Sequence, residues 1–270
     1  MHSIMRLKWL FFGISLLVIL PGVVSLIMFG LKPSIDFTGG TMIVTNSGQV
    51  IRTKAMDNSQ KEQYLLELKK QYGPKTEIDK FETVGPVIGK ELTMKALQSV
   101  GLASLAIIIY IAYAFRTIPA PYTSWKFGVS AVVALLHDVL VVVGVFSILG
   151  HFFKVEVDSL FVTALLTVIG FSVHDTIVVF DRIRENLSRL PAKTSFSDVV
   201  DTSIWQTMGR SLMPSLTVLF TLLALILFGG ESIRWFVVAL FIGVFSGTYS
   251  SIFNAAPLLV LWEEKPKKTV

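Results

Sequence analysis

The residue in this sequence best placed to do chemistry is an aspartate inside an apolar run. The stretch Thr167 to Asn186, TVIGFSVHDTIVVFDRIREN, begins as a membrane helix. It sets His174 and Asp175 side by side and exits through Asp181, Arg182, Arg184 and Glu185. A charged acid at the centre of a span costs about 2.5–3.5 kcal/mol on insertion scales, so acids there mark ion and proton pathways. Asp175 precedes Arg182 by seven residues, which sets it roughly 10 Å inside the membrane boundary. Burial favours the neutral carboxyl and a nearby cation the charged one, so an acid held between the two can load and release a proton. The competing reading is a fixed ion pair or hydrogen bond that locks helices together.

Three further residues bear on that acid. His137-Asp138 sits near the middle of another apolar run and repeats the His-Asp pair. Two acids on adjacent helices can form a relay with histidine as carrier, or the first pair can simply orient Asp175. Arg210 opens the next span. It is the nearest candidate counter-ion, permanently charged and able to snorkel; an ordinary membrane-edge anchor reads equally well.

Other chemistry is poorly supported. Adjacent His and Asp point to different helix faces, and the chain has no cysteine, so no metal site is expected. Gly39-Gly40 lacks the Gly-x-x-x-x-Gly-Lys pattern of a phosphate loop and reads as a turn before a strand. No catalytic triad or carboxylate pair is readable, so the chain is not expected to be an enzyme. Gly243, Gly247, Ser251 and Ala255 recur every four residues and form a small-residue ridge for close helix packing. Thr248 and Asn254 can add hydrogen bonds to it.

The elements that position these residues follow from composition. The 270 residues are 53% hydrophobic and 16% charged, against about a quarter charged in soluble domains. Six uncharged runs approach or exceed the ~20 residues needed to span a bilayer. The expected fold is a polytopic α-helical membrane protein: six transmembrane helices with a small α+β extracytoplasmic domain between the first and second. Its segments are a tail and first span over 1–31, the outer domain over 32–92, spans over 93–117, 126–150 and 159–182, a cytoplasmic amphipathic segment over 183–210, spans over 211–230 and 233–262, and a tail over 263–270. The first run is too long for a signal-peptide core, so it reads as a retained span.

Basic residues orient the chain. Arg6, Lys8, Arg116, Lys126, Arg182, Arg184, Arg189, Lys193, Arg210, Lys265, Lys267 and Lys268 fall on one side, which puts both termini in the cytoplasm. The net charge of +5 reflects these loops and gives no reason to expect nucleic-acid binding. In the outer segment Met42-Ile43-Val44 reads as a strand that 47–52 continues or pairs with. Asp57 to Tyr72 reads as a helix stopped by Gly73-Pro74, and Thr76 to Val84 as another strand. Residues 183–206 read as one or two short surface helices with Trp205 near the interface. One span, a domain and five further spans form a lopsided layout that suggests half of a two-fold assembly.

The motifs Asp36-Phe37-Thr38-Gly39-Gly40-Thr41, Val84-Gly85-Pro86-Val87-Ile88-Gly89-Lys90-Glu91-Leu92, His137-Asp138-Val139, His174 to Asn186 and Gly247-Thr248-Tyr249-Ser250-Ser251 resemble, in order and over essentially the whole chain, those of the bacterial SecF protein-export family. The resemblance implies an architecture like half of a resistance-nodulation-division transporter in the bacterial cytoplasmic membrane. It implies SecD as partner, action with the SecYEG channel and in many bacteria YajC, and contact with translocating preprotein and membrane lipid. It implies no cofactor, the proton gradient as energy source with sodium as the alternative ion, and proton flow involving Asp175 and Arg210. His174 stands where some relatives have asparagine, and Ser211 where threonine is frequent. The rivals are half of a lipid or drug exporter, and a scaffold without ion coupling.

Overall fold

In the computed structural model, residues 3–263 are described except 47, 75, 120 and 192. The tail lysines 265, 267 and 268 lie outside the described residues. Six helices are long and apolar enough to cross a membrane. They are α1 (Lys8–Phe29), α4 (Pro86–Ala114), α5 (Ser124–Phe153), α6 (Ser159–Arg189), α7 (Phe196–Phe228) and the continuous pair α8 (Arg234–Ser250) and α9 (Ala256–Glu263). A π-helical turn, Ser251–Ala255, joins the last two; such insertions are rare and cluster at functional sites.

α6 lies at the centre and packs against α4, α5, α7 and α8. Small residues set the closest crossings. A Cβ on Gly22 of α1 would lie 2.9 Å from the Cα of Gly144 on α5, and one on Gly243 of α8 would overlap Val168 of α6. The small-residue ridge of the last span therefore packs within the chain, against α6. Between the helices Phe115, Phe127 and Phe180 interlock, with ring centroids 5.5–6.0 Å apart. α1 and α4 keep most of their apolar surface outward, as Ile27 and Ile109 illustrate at 80% and 61% exposure. Apolar side chains suit that position because lipid is as apolar as they are.

The small domain follows α1. A four-residue turn, α2 (Ile35–Thr38), leads into β1 (Gly40–Thr45), followed by β2 (Val50–Thr53), α3 (Asn58–Tyr72) and β3 (Ile78–Val84). The sheet is antiparallel in the order β2-β1-β3. Gly39 and Gly40 have φ of +71° and +116°, conformations that glycine tolerates and other residues rarely adopt. α3 begins with a capping box between Asp57 and Gln60. Among the described residues, Ile35, Ile43 and Leu68 are the domain's buried apolar side chains, so its core is thin.

The fold differs from expectation mainly between 183 and 210. α6 runs on to Arg189 and α7 starts at Phe196, so this segment extends two spans into a helical hairpin instead of forming separate surface helices. Phe196, Val199, Val200, Ser203, Ile204 and Thr207 are buried at helical spacing. Asn186 Nδ2 donates to Ser203 Oγ at 2.8 Å and Gln206 Oε1 at 2.8 Å, and Arg182 Nε donates to Gln206 Oε1 at 2.7 Å. Asp201 accepts from Met5 N at 3.0 Å and from Ser3 Oγ, tying the hairpin to the N-terminal turn. Polar residues that look like a solvated loop are thus the hairpin's internal contacts.

Candidate functional site

The two intramembrane acids lie on either side of α8. Asp138 projects from α5 and is fully buried. It accepts from Ser172 Oγ of α6 at 2.6 Å, from Ser246 Oγ and Ser250 Oγ of α8 at 2.7 Å each, and meets His137 Nδ1 at 3.0 Å. Adjacent residues on a helix do diverge, yet the His137 ring folds back onto its neighbour's carboxylate. The expectation that the two side chains part is corrected here. Among the described residues the hydroxyls of Ser172 and Ser246 have no other acceptor, and Ser250 also lies 3.3 Å from Gly247 O. Short O–H···O⁻ bonds are the strong, charge-assisted kind. Three hydroxyl donors and the His137 ring satisfy both oxygens of this buried carboxyl, as burial of a polar group requires.

Asp175 is served differently. It is 4% exposed, and Oδ2 lies 3.2 Å from Ser215 Oγ of α7 and 3.4 Å from Thr248 Oγ1 of α8. Both hydroxyls are closer to the carbonyl one turn back in their own helix, Ser215 Oγ to Ser211 O at 2.9 Å and Thr248 Oγ1 to Val244 O at 2.9 Å. A hydroxyl carries one proton and two acceptor lone pairs. If both hydroxyls donate to their helix carbonyls, their lone pairs face Asp175 and a proton on Asp175 completes the set. If Asp175 is ionised, one or both hydroxyls must turn away from the carbonyls. Such i−4 bonds of Ser and Thr bend helices, and Pro214 beside Ser215 already removes one backbone donor from α7. Proton exchange at Asp175 therefore changes what α7 and α8 are bonded to.

α8 divides its face between these acids. Ser246 and Ser250 turn to Asp138 and Thr248 to Asp175, and in the π-helical turn that follows Ser251 Oγ pairs with Thr176 Oγ1 of α6 at 2.8 Å. Gly247 sits where the helices touch: a Cβ there would be 3.2 Å from Ser172 and 3.6 Å from Asp138 Oδ2. The sequence reading missed Ser172, Ser215, Ser246 and Ser250. Their i,i+4 spacings, 246 with 250 and 211 with 215, are the only signal, and serine is common in membrane helices.

Two expected members stand apart. Arg210 is exposed and forms no ion pair with Asp175. Five residues separate it from Ser215, about 140° round the helix, so when Ser215 faces Asp175 Arg210 faces elsewhere. The Asp175–Arg210 pairing expected from the sequence is not formed in this structure. His174 is likewise exposed, one residue and roughly 100° from Asp175. Among the described residues no cluster of three His, Cys, Asp or Glu side chains could hold a metal.

This is a six-span helical membrane protein with two buried, hydroxyl-served acids at its centre. The family model for the protein export membrane protein SecD/SecF C-terminal region matches residues 65–265, and that for the SecD/SecF GG motif matches residues 24–48. The protein translocase subunit SecF of Thermobaculum terrenum is 46% identical across 98% of this chain and 95% of its own length, and that of Anaerolinea thermophila 41% across 97% and 94%. A crystal structure of SecDF from Thermus thermophilus, described as a translocon-associated membrane protein, superposes with a TM-score of 0.83 at 32% identity. It covers 98% of this chain, which spans 39% of that one. The chain belongs to the SecD/SecF family of protein-export membrane proteins, on its SecF side.

Proposed function

We propose that this chain is the SecF-type subunit of a Sec protein-export translocase in the bacterial cytoplasmic membrane, coupling proton movement to work on preproteins at the outer face. Its full-length relatives named as SecF subunits support the assignment to Sec export. SecDF, a single chain in Thermus thermophilus, supports SecD as the partner. Action with SecYEG and YajC belongs to the same reading. The basic residues at the end opposite the sheet support cytoplasmic termini and an outer small domain. The chain catalyses no covalent step and uses no cofactor; its energy comes from the proton gradient, with sodium as the alternative ion.

The observation that carries the mechanism is the shared hydroxyls of Ser215 and Thr248 at Asp175. Protonated, Asp175 leaves both hydroxyls on their helix carbonyls. Deprotonated, it draws them off, and α7 and α8 repack against α6. Asp138, hydrogen-bonded by Ser172, Ser246 and Ser250, holds the other side of α8 in place. One charge moved through 100 mV is worth about 2.3 kcal/mol, enough for more than a tenfold shift in a two-state equilibrium. With Asp175→Asn, export is expected to lose its response to the proton gradient while the chain still co-purifies with SecD. A wild-type response in that variant would remove ion coupling and leave a scaffold.

A further inference from the structure

α6 carries Asp175, and its other end is bolted to the small domain. The segment that leaves α1 runs beside the loop before α6 as a short parallel bridge, Pro33 with Val157. Ser34 N donates to Val157 O and Val157 N to Lys32 O, both at 2.8 Å. Asp36 then reaches the first turn of α6: its Oδ2 accepts from Ser159 N at 3.0 Å and Ser159 Oγ at 2.7 Å. Asp158, the helix's own N-cap, accepts from Phe161 N at 2.8 Å. Two of the N–H groups that a helix start leaves free are thus satisfied, one of them from outside the helix. Glu156 adds ion pairs to Arg52 of β2 and to Lys32, the latter at 3.5 Å.

The same segment is seated on α4. A Cβ on Gly89 would lie 2.9 Å from Gly39 N and 3.1 Å from Phe37 O, and one on Gly39 would lie 2.9 Å from Pro86 Cα. Thr93 Oγ1 approaches Phe37 O at 3.4 Å. Residues 36–40 are therefore gripped on one side by the start of α4 and continue directly into β1. Their one side-chain bond to α6 is through Asp36.

We infer that Asp36 is a positioning residue that pins the small domain to α6, so that movement of α6 set off at Asp175 is delivered to the sheet. Ser159 and Asp175 are sixteen residues apart on one unbroken helix, a rod of ~24 Å. A rigid rod fixed at the domain end transmits a shift or rotation; one with its end free lets the domain stay behind. The role rests on the proton-coupled reading of Asp175.

The test uses the full chain with SecD in membrane vesicles. The absence of native cysteine allows spin labels at exposed Gln63 on α3 and Phe152 on α5. Asp175→Asn is expected to shift the distance distribution between them. The shift is expected to shrink at least twofold in Asp36→Ala, where only the Pro33–Val157 bridge and the Glu156 ion pairs remain, and to persist in full with a disulfide between Asp36→Cys and Ser159→Cys, which keeps the pin closed. Ser159→Ala, which removes one of the two bonds, should leave a reduced shift and guards against a folding defect in Asp36→Ala. An undiminished shift in Asp36→Ala, or its loss on locking, overturns the pin and leaves the proton reading intact. No shift with Asp175→Asn in the intact pin overturns both.

Discussion

Asp138 and Asp175 are chemically the same residue in neighbouring helices, and the protein treats them in opposite ways. Asp138 has three short hydroxyl donors and a histidine. Asp175 has two longer contacts to hydroxyls that are already engaged. A carboxyl supplied with its own donors holds helices together. One that must compete for them changes its neighbours whenever its proton comes or goes. Burial and residue type do not separate the two roles, since both acids are almost wholly buried. The count of uncommitted donors does.

That contrast can be broken or sharpened by substitution. The largest effect is expected from Asp138→Ala, which leaves the buried hydroxyls of Ser172 and Ser246 without their acceptor and Ser250 with only its longer bond to Gly247 O. Each buried polar group left unsatisfied costs about 1–3 kcal/mol, so a loss of about 3 kcal/mol is expected in denaturant unfolding of the purified protein. Gly243→Ile should follow: its side chain enters the space of Val168, and overpacking costs about 1–3 kcal/mol. Ser246→Ala removes one dedicated donor, for about 1 kcal/mol in the same assay. Ser215→Ala should fall below that in stability, because the hydroxyl's main bond is to its own helix, yet it should alter how export depends on pH. Equal stability losses for Ser246→Ala and Ser215→Ala would erase the difference between the acids.

The smallest effect concerns the outer end of α6. Burial pushes the Asp158 carboxyl up, Asp36 adds to this, and the Phe161 N–H opposes it. A carboxyl whose folded value is raised binds its proton more tightly when folded, so its contribution favours folding as pH falls through the raised value and is lost as pH rises. Protection factors of the amides in the first turn of α6, taken relative to intrinsic exchange at each pH, should therefore rise modestly on mild acidification, and Asp158→Asn should flatten that dependence.

Much of this was readable in the chain. Six uncharged runs of span length have little alternative to membrane helices, and an acid inside such a run announces itself by its cost. The Asp57-to-Gln60 capping box and the Gly39-Gly40 turn are local features, legible from adjacent residues. Three things were not. The serine cradle of Asp138 depends on which way hydroxyls from α6 and α8 face, and hydroxyls cost too little in a helix to stand out. The Gly22–Gly144 crossing joins residues far apart in sequence. The helical hairpin around 183–210 reads in sequence as short surface helices because its polar residues Asn186, Asp201 and Gln206 are spent on one another and on the N-terminal turn. Arg210 was the misleading case: sequence proximity to a span suggested a counter-ion, and helix geometry turns it outward.

The central claim is that Asp175, whose hydroxyl partners are shared with their own helices, is the acid that exchanges a proton. Infrared spectra of the membrane-embedded protein at neutral pH test it directly through the carbonyl stretch of a protonated carboxyl. The account predicts a band from a buried protonated carboxyl that disappears in Asp175→Asn and persists in Asp138→Asn. A band that survives in Asp175→Asn and disappears in Asp138→Asn would contradict it.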